Sequence, residues 1–383
     1  MRILFSSLGT HGHTYPLIPL AIAARAQGDE VVFATDKAFT DALAPYDVEV
    51  VQAGADLRSA FALALGGDAT ELRPTEVDME VILRMFGSTL PRRFAADLEP
   101  VLADFQPDLV VHEVGNPGAA FAAERAGISR LCHGFGRAWV PTEQNDDLGR
   151  HLRETAADLG VSFDEAHPMV AGSPYVDIAP PSFQIKEFLA SGVEIVPLRP
   201  TPFAERGEVP DWVVAHERPL VYLTLGTAFG DIGVLRTAIA GLAALDVRVL
   251  VATGPTVDVA ALGEVPDNVE LSAWVPQADL LPHTDLVVHH GGSGTTIGAF
   301  AAGRPQLVLP QGADQFANAE AVVEGGLGDQ LLGDALTAEA ITAAARRLLA
   351  DQAVRAAASA IQGEVEAMPA PAEVARRLPE FVR

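Results

Sequence analysis

Short, mainly apolar segments alternate with helix-spaced segments along most of this chain, in two series separated by a proline-dense stretch. In the first series, strand-like runs at 3–6, 30–34 and 48–51 enclose helical patterns at 16–26 and 37–44. A less regular stretch at 58–76 and helical spacing over 77–105 follow. The alternation then resumes with a strand at 108–113 that ends in His112 and Glu113, a helix at 117–126 and a strand at 130–133. Strands that are apolar without strict alternation are buried on both faces, which requires a parallel sheet covered by helices on each side. A second series begins at 220–224 and continues with strands at 247–252, 269–272, 286–289 and 306–309. Proline density over 196–212 reads as an extended connection. The reading is α/β with two Rossmann-like domains: an acceptor-binding one at 1–198, a linker at 199–215, and a nucleotide-binding one at 216–368. A C-terminal helix at 369–383 is expected to pack back on the first domain. A length of 383 residues suits two cores.

The chain carries 26 basic and 51 acidic residues, a formal charge of -25. Such a field repels nucleic acid and anionic membranes, so neither is an expected partner. An acidic protein that takes an anionic ligand must hold it with local backbone donors and helix ends. Cys132 is the only cysteine, so neither an intrachain disulfide nor a cysteine-based zinc site is expected. The apolar run at 3–5 is too short for a signal peptide, and no run is long enough to span a membrane. The expectation is a soluble, cytoplasmic protein.

Chemistry enters at His289-His290-Gly291-Gly292-Ser293-Gly294-Thr295-Thr296, which follows a buried strand and precedes the helix pattern at 297–302. Glycines let a backbone approach an anion, and the N–H groups of the following helix can hold a diphosphate. His290 adds an imidazole donor. The spacing matches neither the dinucleotide fingerprint nor the P-loop. A glycine turn alone could equally be plain turn structure, so its surroundings decide. These are Trp274-Val275-Pro276-Gln277 upstream and Pro310-Gln311-Gly312-Ala313-Asp314-Gln315-Phe316-Ala317-Asn318 downstream.

With these segments the sequence resembles the inverting, nucleotide-sugar-dependent glycosyltransferases of natural-product biosynthesis, the bacterial macrolide and polyketide type. That family has the GT-B fold, two Rossmann-like β/α/β domains facing a central cleft. The resemblance covers the chain end to end and is most specific at 274–318 and 9–16. It implies that Trp274 stacks on the base and the Val275 backbone meets the base edge. His290, Gly292, Ser293, Gly294 and Thr295 would hold the diphosphate, while Asp314 and Gln315 bind sugar hydroxyls. Thr227, in Thr224-Leu225-Gly226-Thr227, would approach the diphosphate from the opposite side. In Gly9-Thr10-His11-Gly12-His13-Thr14-Tyr15-Pro16, the family's base is the histidine three positions before the proline, here His13. An imidazole at the end of a parallel strand sits where open α/β sheets place ligands, and its ordinary range suits proton abstraction near neutrality. Glu113, where relatives often have Asp, would orient it; His11 is the rival base. His133, His283 and Cys132 keep a structural reading.

Where relatives using ribonucleotide donors commonly carry Glu eight residues after the diphosphate histidine, this chain has Gly298. The resemblance therefore implies a deoxythymidine-type (dTDP-sugar) donor over a UDP-sugar. No carboxylate cluster is spaced for a metal, and no cofactor beyond the donor co-substrate is expected. The acceptor is expected to be small, hydrophobic and aromatic or polyketide-like. Its expected surroundings are the loops near 58–84 and 136–144, with Phe61, Leu65, Met85, Phe86, Phe135, Trp139 and Val140. Two other readings stand beside transfer: an epimerase of the same architecture, and a catalytically silent sugar-nucleotide-binding activator. A homodimer is left open.

Overall fold

The computed structural model describes residues 1–65, 78–138, 147–203, 208–226, 231–254 and 257–382. The chain divides into two compact units, Met1–Ala179 with Gln184–Arg199 and Pro369–Arg383, and Pro180–Phe183 with Pro200–Met368.

The first unit holds a seven-stranded sheet of Arg2–Ser6 (β1), Glu30–Thr35 (β2), Glu49–Gln52 (β3), Leu109–Glu113 (β4), Ser129–His133 (β5), Tyr175–Asp177 (β6) and Ile195–Pro197 (β7), in the order β3-β2-β1-β4-β5-β6-β7. Every pairing is parallel. Burial on both faces explains the composition of the strands. Leu4, Val32 and Val110 face a core that includes Phe94 and Leu98 of the helix Leu90–Phe105, while Ile3 and Phe5 are equally inaccessible on the alternate positions. The sequence does not announce β6 or β7. Residues 196 and 197, which open the proline-dense stretch, belong with Ile195 to the strand at the sheet edge. Pro197 is tolerated there because an edge strand has ladder positions that need no N–H.

Residues 369–383 cluster with this unit. Arg199 N–H donates to Pro369 O at 2.7 Å, Gln27 Nε2 donates to Ala372 O at 2.8 Å, and Val374 and Leu378 are fully buried. Each such apolar side chain stabilises the docking by roughly 1.5–3 kcal/mol.

The second unit repeats the plan with Leu220–Thr224 (β8), Arg248–Ala252 (β9), Val269–Ser272 (β10), Leu286–His289 (β11), Gln306–Val308 (β12) and Gly328–Gln330 (β13) in the order β10-β9-β8-β11-β12-β13. All pairs are again parallel. On β8, Val221 and Leu223 face Leu235, Ile239 and Ile341, whereas Leu220 and Tyr222 face Leu280, Leu281 and Ala299. Both orders reverse direction beside their first strand, between β1 and β4 and between β8 and β11. Open α/β sheets bind ligands at the carboxyl ends of strands at such a reversal. No helix among the described residues is long and apolar enough to cross a membrane.

Candidate active site

In the first unit, β1 and β4 run side by side with Ser6 opposite His112, so the segments leaving them meet at the sheet's switch point. The turn after β1 is fixed by buried hydroxyls. Thr14 Oγ1 donates to Leu8 O at 2.9 Å and lies 3.0 Å from Ser7 Oγ, and Asn116 Nδ2 donates to Ser6 Oγ at 3.0 Å. The short helix His11–Thr14 then presents His13, whose side chain is 22% exposed, with Nδ1 3.1 Å from Glu113 Oε2. The contact is close but not aligned as a hydrogen bond. Glu113 is fully buried, and its Oε1 accepts from Gly115 N–H. A carboxylate at Nδ1 favours the tautomer with its proton there, which leaves the Nε2 lone pair as the basic site. Phe135 packs on the ring with centroids 4.6 Å apart. His11 instead meets Tyr15 and Phe39 edge-on at 5.0 and 5.3 Å; of the two histidines, His13 is the one that meets the carboxylate.

The neighbouring histidines are structural. Burial pushes His112 down to about 3, and its ring lies between Glu113 O at 3.3 Å and Ser173 Oγ at 3.2 Å. Burial likewise takes His133 down to about 4, with Nδ1 2.6 Å from Gly134 O. The Cys132 thiol is pushed well up by burial and by the Glu113 charge. It is inert as a thiolate.

A mainly apolar cavity of about 210 Å³, walled by Val114, Gly115, Phe135, Met169, Tyr175 and Phe188 among others, shares Gly115 and Phe135 with the surroundings of this dyad, though neither His13 nor Glu113 lines it. Of the apolar residues expected near the acceptor, Phe135 lines this cavity. Met85 is fully buried, and Phe61 and Phe86 pack against the core. Leu65 is exposed, and Trp139 and Val140 lie outside the described residues.

In the second unit, Thr224 ends β8 opposite His289 of β11. His289 is a strut. Its Nδ1 accepts from Gly291 N–H at 3.0 Å, so Nε2 carries the proton and donates to Gln306 Oε1 at 2.8 Å. Burial and the His290 neighbour push it down to about 3. Gly291, at φ 93°, then passes so close beneath Gln315 that a Cβ would lie 2.8 Å from its carbonyl oxygen.

The His290 ring lies against Gly226 and Gly292, where a Cβ would come within 2.5 and 2.4 Å of it. Burial holds it down to about 4, and its Nδ1 is shut from water without a hydrogen-bond partner among the described residues. A neutral imidazole still offers one N–H. The helix Ser293–Ala301 follows, with Gly292 as N-cap and no side-chain cap. The N–H groups of its first turn lack intrahelical acceptors, and its dipole favours an anion there. An orphaned imidazole nitrogen, close glycine backbone and uncapped N–H groups fit a diphosphate.

Around this turn Ser293 Oγ donates to Asp314 Oδ2 at 2.8 Å, and Asn318 Nδ2 donates to Gly291 O, Ser293 Oγ and Asp314 Oδ2 at 2.9, 3.2 and 3.1 Å. Asp314 itself is exposed. Gln315 is 2% exposed, and its Oε1 accepts from the N–H groups of Gln311 and Gly312. Thr295 Oγ1 donates to Gln277 Oε1 at 3.2 Å. Trp274 is 43% exposed and Val275 is buried; Gly294 is exposed. Thr227 lies outside the described residues. Sequence reasoning gave no role to Asn318 or Gln277, although both stand inside the segments it singled out. The i, i+4 spacing of Asp314 and Asn318 at a helix start was the available signal.

Two family models match the chain: the N-terminal domain of the erythromycin biosynthesis protein CIII-like family over residues 22–226 and its C-terminal domain over residues 236–381. The L-demethylnoviosyl transferase of Streptomyces niveus is 33% identical over 99% of this chain and 97% of its own length. Among solved structures, the glycosyltransferase SnogD from Streptomyces nogalater matches with a TM-score of 0.80 at 28% identity, over 100% of both chains. Glycosyltransferase VinC, solved in complex with dTDP, matches with a TM-score of 0.78 at 28% identity, over 100% of this chain and 99% of its own. Family, sheet topology and relatives converge: the chain belongs to the erythromycin biosynthesis protein CIII-like family and is a GT-B glycosyltransferase of natural-product biosynthesis.

Proposed function

We propose that this enzyme transfers a sugar from a dTDP-sugar to a hydroxyl of a small, aromatic or polyketide-like acceptor with inversion, and that His13 is the general base. The observation that carries the reading is the buried Glu113 carboxylate 3.1 Å from His13 Nδ1. In the step, His13 Nε2 takes the acceptor hydroxyl proton as the oxygen attacks the anomeric carbon. The bond from that carbon to the diphosphate oxygen breaks, and its electron pair leaves with the dTDP. Glu113 stabilises the imidazolium that forms. A base of this kind contributes roughly 10²–10⁴-fold in rate.

The negative charge growing on the diphosphate falls to the first-turn N–H groups at Ser293, Gly294 and Thr295 and to His290, and the family resemblance assigns Thr227 to the same diphosphate. Donors fixed before the reaction favour the transition state because they need no reorganisation. Trp274 and the Val275 backbone take the base, and Asp314 and Gln315 the sugar hydroxyls. No step is assigned to a metal or a further cofactor. The apolar cavity behind Phe135 and Gly115 suits a ring-shaped acceptor.

The dTDP preference rests on Gly298. Its position lacks a carboxylate for a ribose 2′-hydroxyl, and a Cβ there would already lie 3.0 Å from Leu281 Cδ1. VinC, a relative, was solved with dTDP, which supports the same choice. The relatives' names favour transfer over the epimerase and silent-partner readings.

The test is mass spectrometry of reactions pairing dTDP- and UDP-sugars with a panel of aromatic aglycones. The expected result is a glycoside whose anomeric configuration is opposite to the donor's, formed faster from dTDP-sugars. A retained configuration would overturn the single displacement. Equal or faster turnover with UDP-sugars would overturn the donor assignment.

A further inference from the structure

Gly115 stands in the turn after β4, between the two partners of the dyad. Its N–H donates to Glu113 Oε1. A Cβ at this position would lie 2.9 Å from Glu113 Oε1, 3.1 Å from Glu113 Oε2 and 3.2 Å from His13 Cε1. Its φ is not among the positive ones, so backbone conformation gives no reason for a glycine here. Space does.

The clash falls on the dyad itself, because the nearest atoms are those of the Glu113 carboxylate and the His13 ring. Glu113 is fully buried, so its carboxylate cannot retreat into water. The chain is tied on both sides of position 115, by Val114 N–H to His133 O at 2.9 Å and by Asn116 N–H to Glu113 O at 2.8 Å. A methyl group at 115 must therefore displace either the carboxylate or the imidazole.

We infer that Gly115 is a positioning residue of this enzyme: its N–H holds one carboxylate oxygen of Glu113, and its missing side chain lets the other reach His13 Nδ1. The inference rests on His13 being the base. Its role is to select the His13 tautomer that leaves Nε2 free to accept a proton.

The test uses the full chain labelled with ¹⁵N-histidine, the His13 signals being assigned by their loss in His13→Gln. In the wild type, His13 Nδ1 is expected to give the protonated-nitrogen signal and Nε2 the unprotonated one. In Gly115→Ala this preference is expected to weaken. Turnover of dTDP-glucose, followed as dTDP release, should fall by about 10²-fold with the KM for donor unchanged, as expected for a small misplacement of a reacting group. Glu113→Asp supplies the second arm. The shorter acid withdraws its carboxylate from position 115, so Gly115→Ala in the Glu113→Asp background should cost only about a few-fold. Recovery of folding in that background, should Gly115→Ala alone unfold, supports the inference equally. Unchanged His13 signals in folded Gly115→Ala, or equal losses in both backgrounds, would overturn it. A changed tautomer with unchanged turnover would uphold Gly115 as the positioning residue and remove His13 as the base.

Discussion

Each unit places a histidine at the reversal of its parallel sheet, on opposite strands of the pair that flanks it: His13 follows β1, the counterpart of β8, and His290 follows β11, the counterpart of β4. Their surroundings differ in kind. His13 is partly open to solvent with a buried carboxylate at Nδ1. His290 is pressed between two glycines and driven down to about 4 by loss of water. The first arrangement supports a proton acceptor, because the carboxylate stabilises the charged ring. The second supports a neutral donor to an anion, because nothing among the described residues compensates a positive ring until the anion arrives. Shared topology fixes where a ligand sits, and the immediate neighbours decide what the histidine does to it.

Exchanging the two losses breaks the comparison most sharply. His13→Ala is expected to lower kcat by roughly 10²–10⁴-fold while leaving the Kd for dTDP, measured by calorimetry, unchanged. His290→Ala should instead weaken dTDP by about tenfold, the worth of one hydrogen bond to a charged group. If His13→Ala weakened dTDP as much as His290→Ala does, the division of labour would fail. Gly226→Ala probes the same cradle by crowding the imidazole while keeping it. At φ 78°, with a Cβ 2.5 Å from the His290 ring, it should also weaken dTDP by about tenfold. An unchanged Kd there would show that the ring has room to move.

How much of this was legible in the sequence follows from what leaves a residue signature. Strands such as β1, β4, β8 and β11 carry four or five consecutive buried positions, and their runs of Leu, Val and Ile announce them. The three-residue strands β6, β7 and β13 do not. Tyr175–Asp177 and Ile195–Pro197 are hemmed by prolines, and Gly328–Gln330 is polar and lies at a sheet edge. The excursion Pro180–Phe183, whose Phe183 meets Phe300 edge-on at 4.8 Å within the second unit, has no local pattern at all. At the site, His13 and Glu113 stood in motifs, and distance could not be read from spacing. Gly115 was silent, and Gly226 stood in a quoted motif without a role of its own, because a glycine records nothing of what it faces. Met85 looked like a ligand-facing residue because apolar character alone does not tell a core from a pocket.

Stability against pH separates the buried histidines from the base. His112, His133, His289 and His290 are pushed by burial to about 3, about 4, about 3 and about 4. Each takes up a proton on unfolding once the pH falls below its ordinary 6.5, so the unfolded state binds more protons and stability falls from there toward 4. Burial of Asp177 acts with the opposite sign. It raises the carboxyl from 3.8 to about 6, so the folded state holds a proton the unfolded state has lost, and that term improves as the pH falls through 6. Four groups against one leave a net loss, on the order of 1 kcal/mol per pH unit for each histidine. Urea melts should show midpoints declining from about pH 6.5 toward pH 5, and Asp177→Asn should steepen the decline. A flat midpoint over that range would show that these rings are not held neutral.

The smallest expected effect concerns what the second unit reads on the nucleotide. Gly298 lies on the helix that begins at Ser293, where a Cβ would sit 3.0 Å from Leu281 Cδ1 and 3.5 Å from Gln277 Nε2. Gly298→Glu alone should lower turnover of either donor, because Leu281 is buried and must move. Pairing it with Leu281→Ala makes room, at a cost of about 2–5 kcal/mol in stability that a thermal melt will register. In that double variant a carboxylate is present to accept from a ribose 2′-hydroxyl. The ratio of UDP-sugar to dTDP-sugar turnover should then rise by up to about tenfold, the equivalent of one hydrogen bond. If the ratio stays put while the protein remains folded, discrimination between the two sugars of the nucleotide does not reside at position 298. The neighbouring Gln277, within 3.2 Å of Thr295 Oγ1, would be the next residue to exchange.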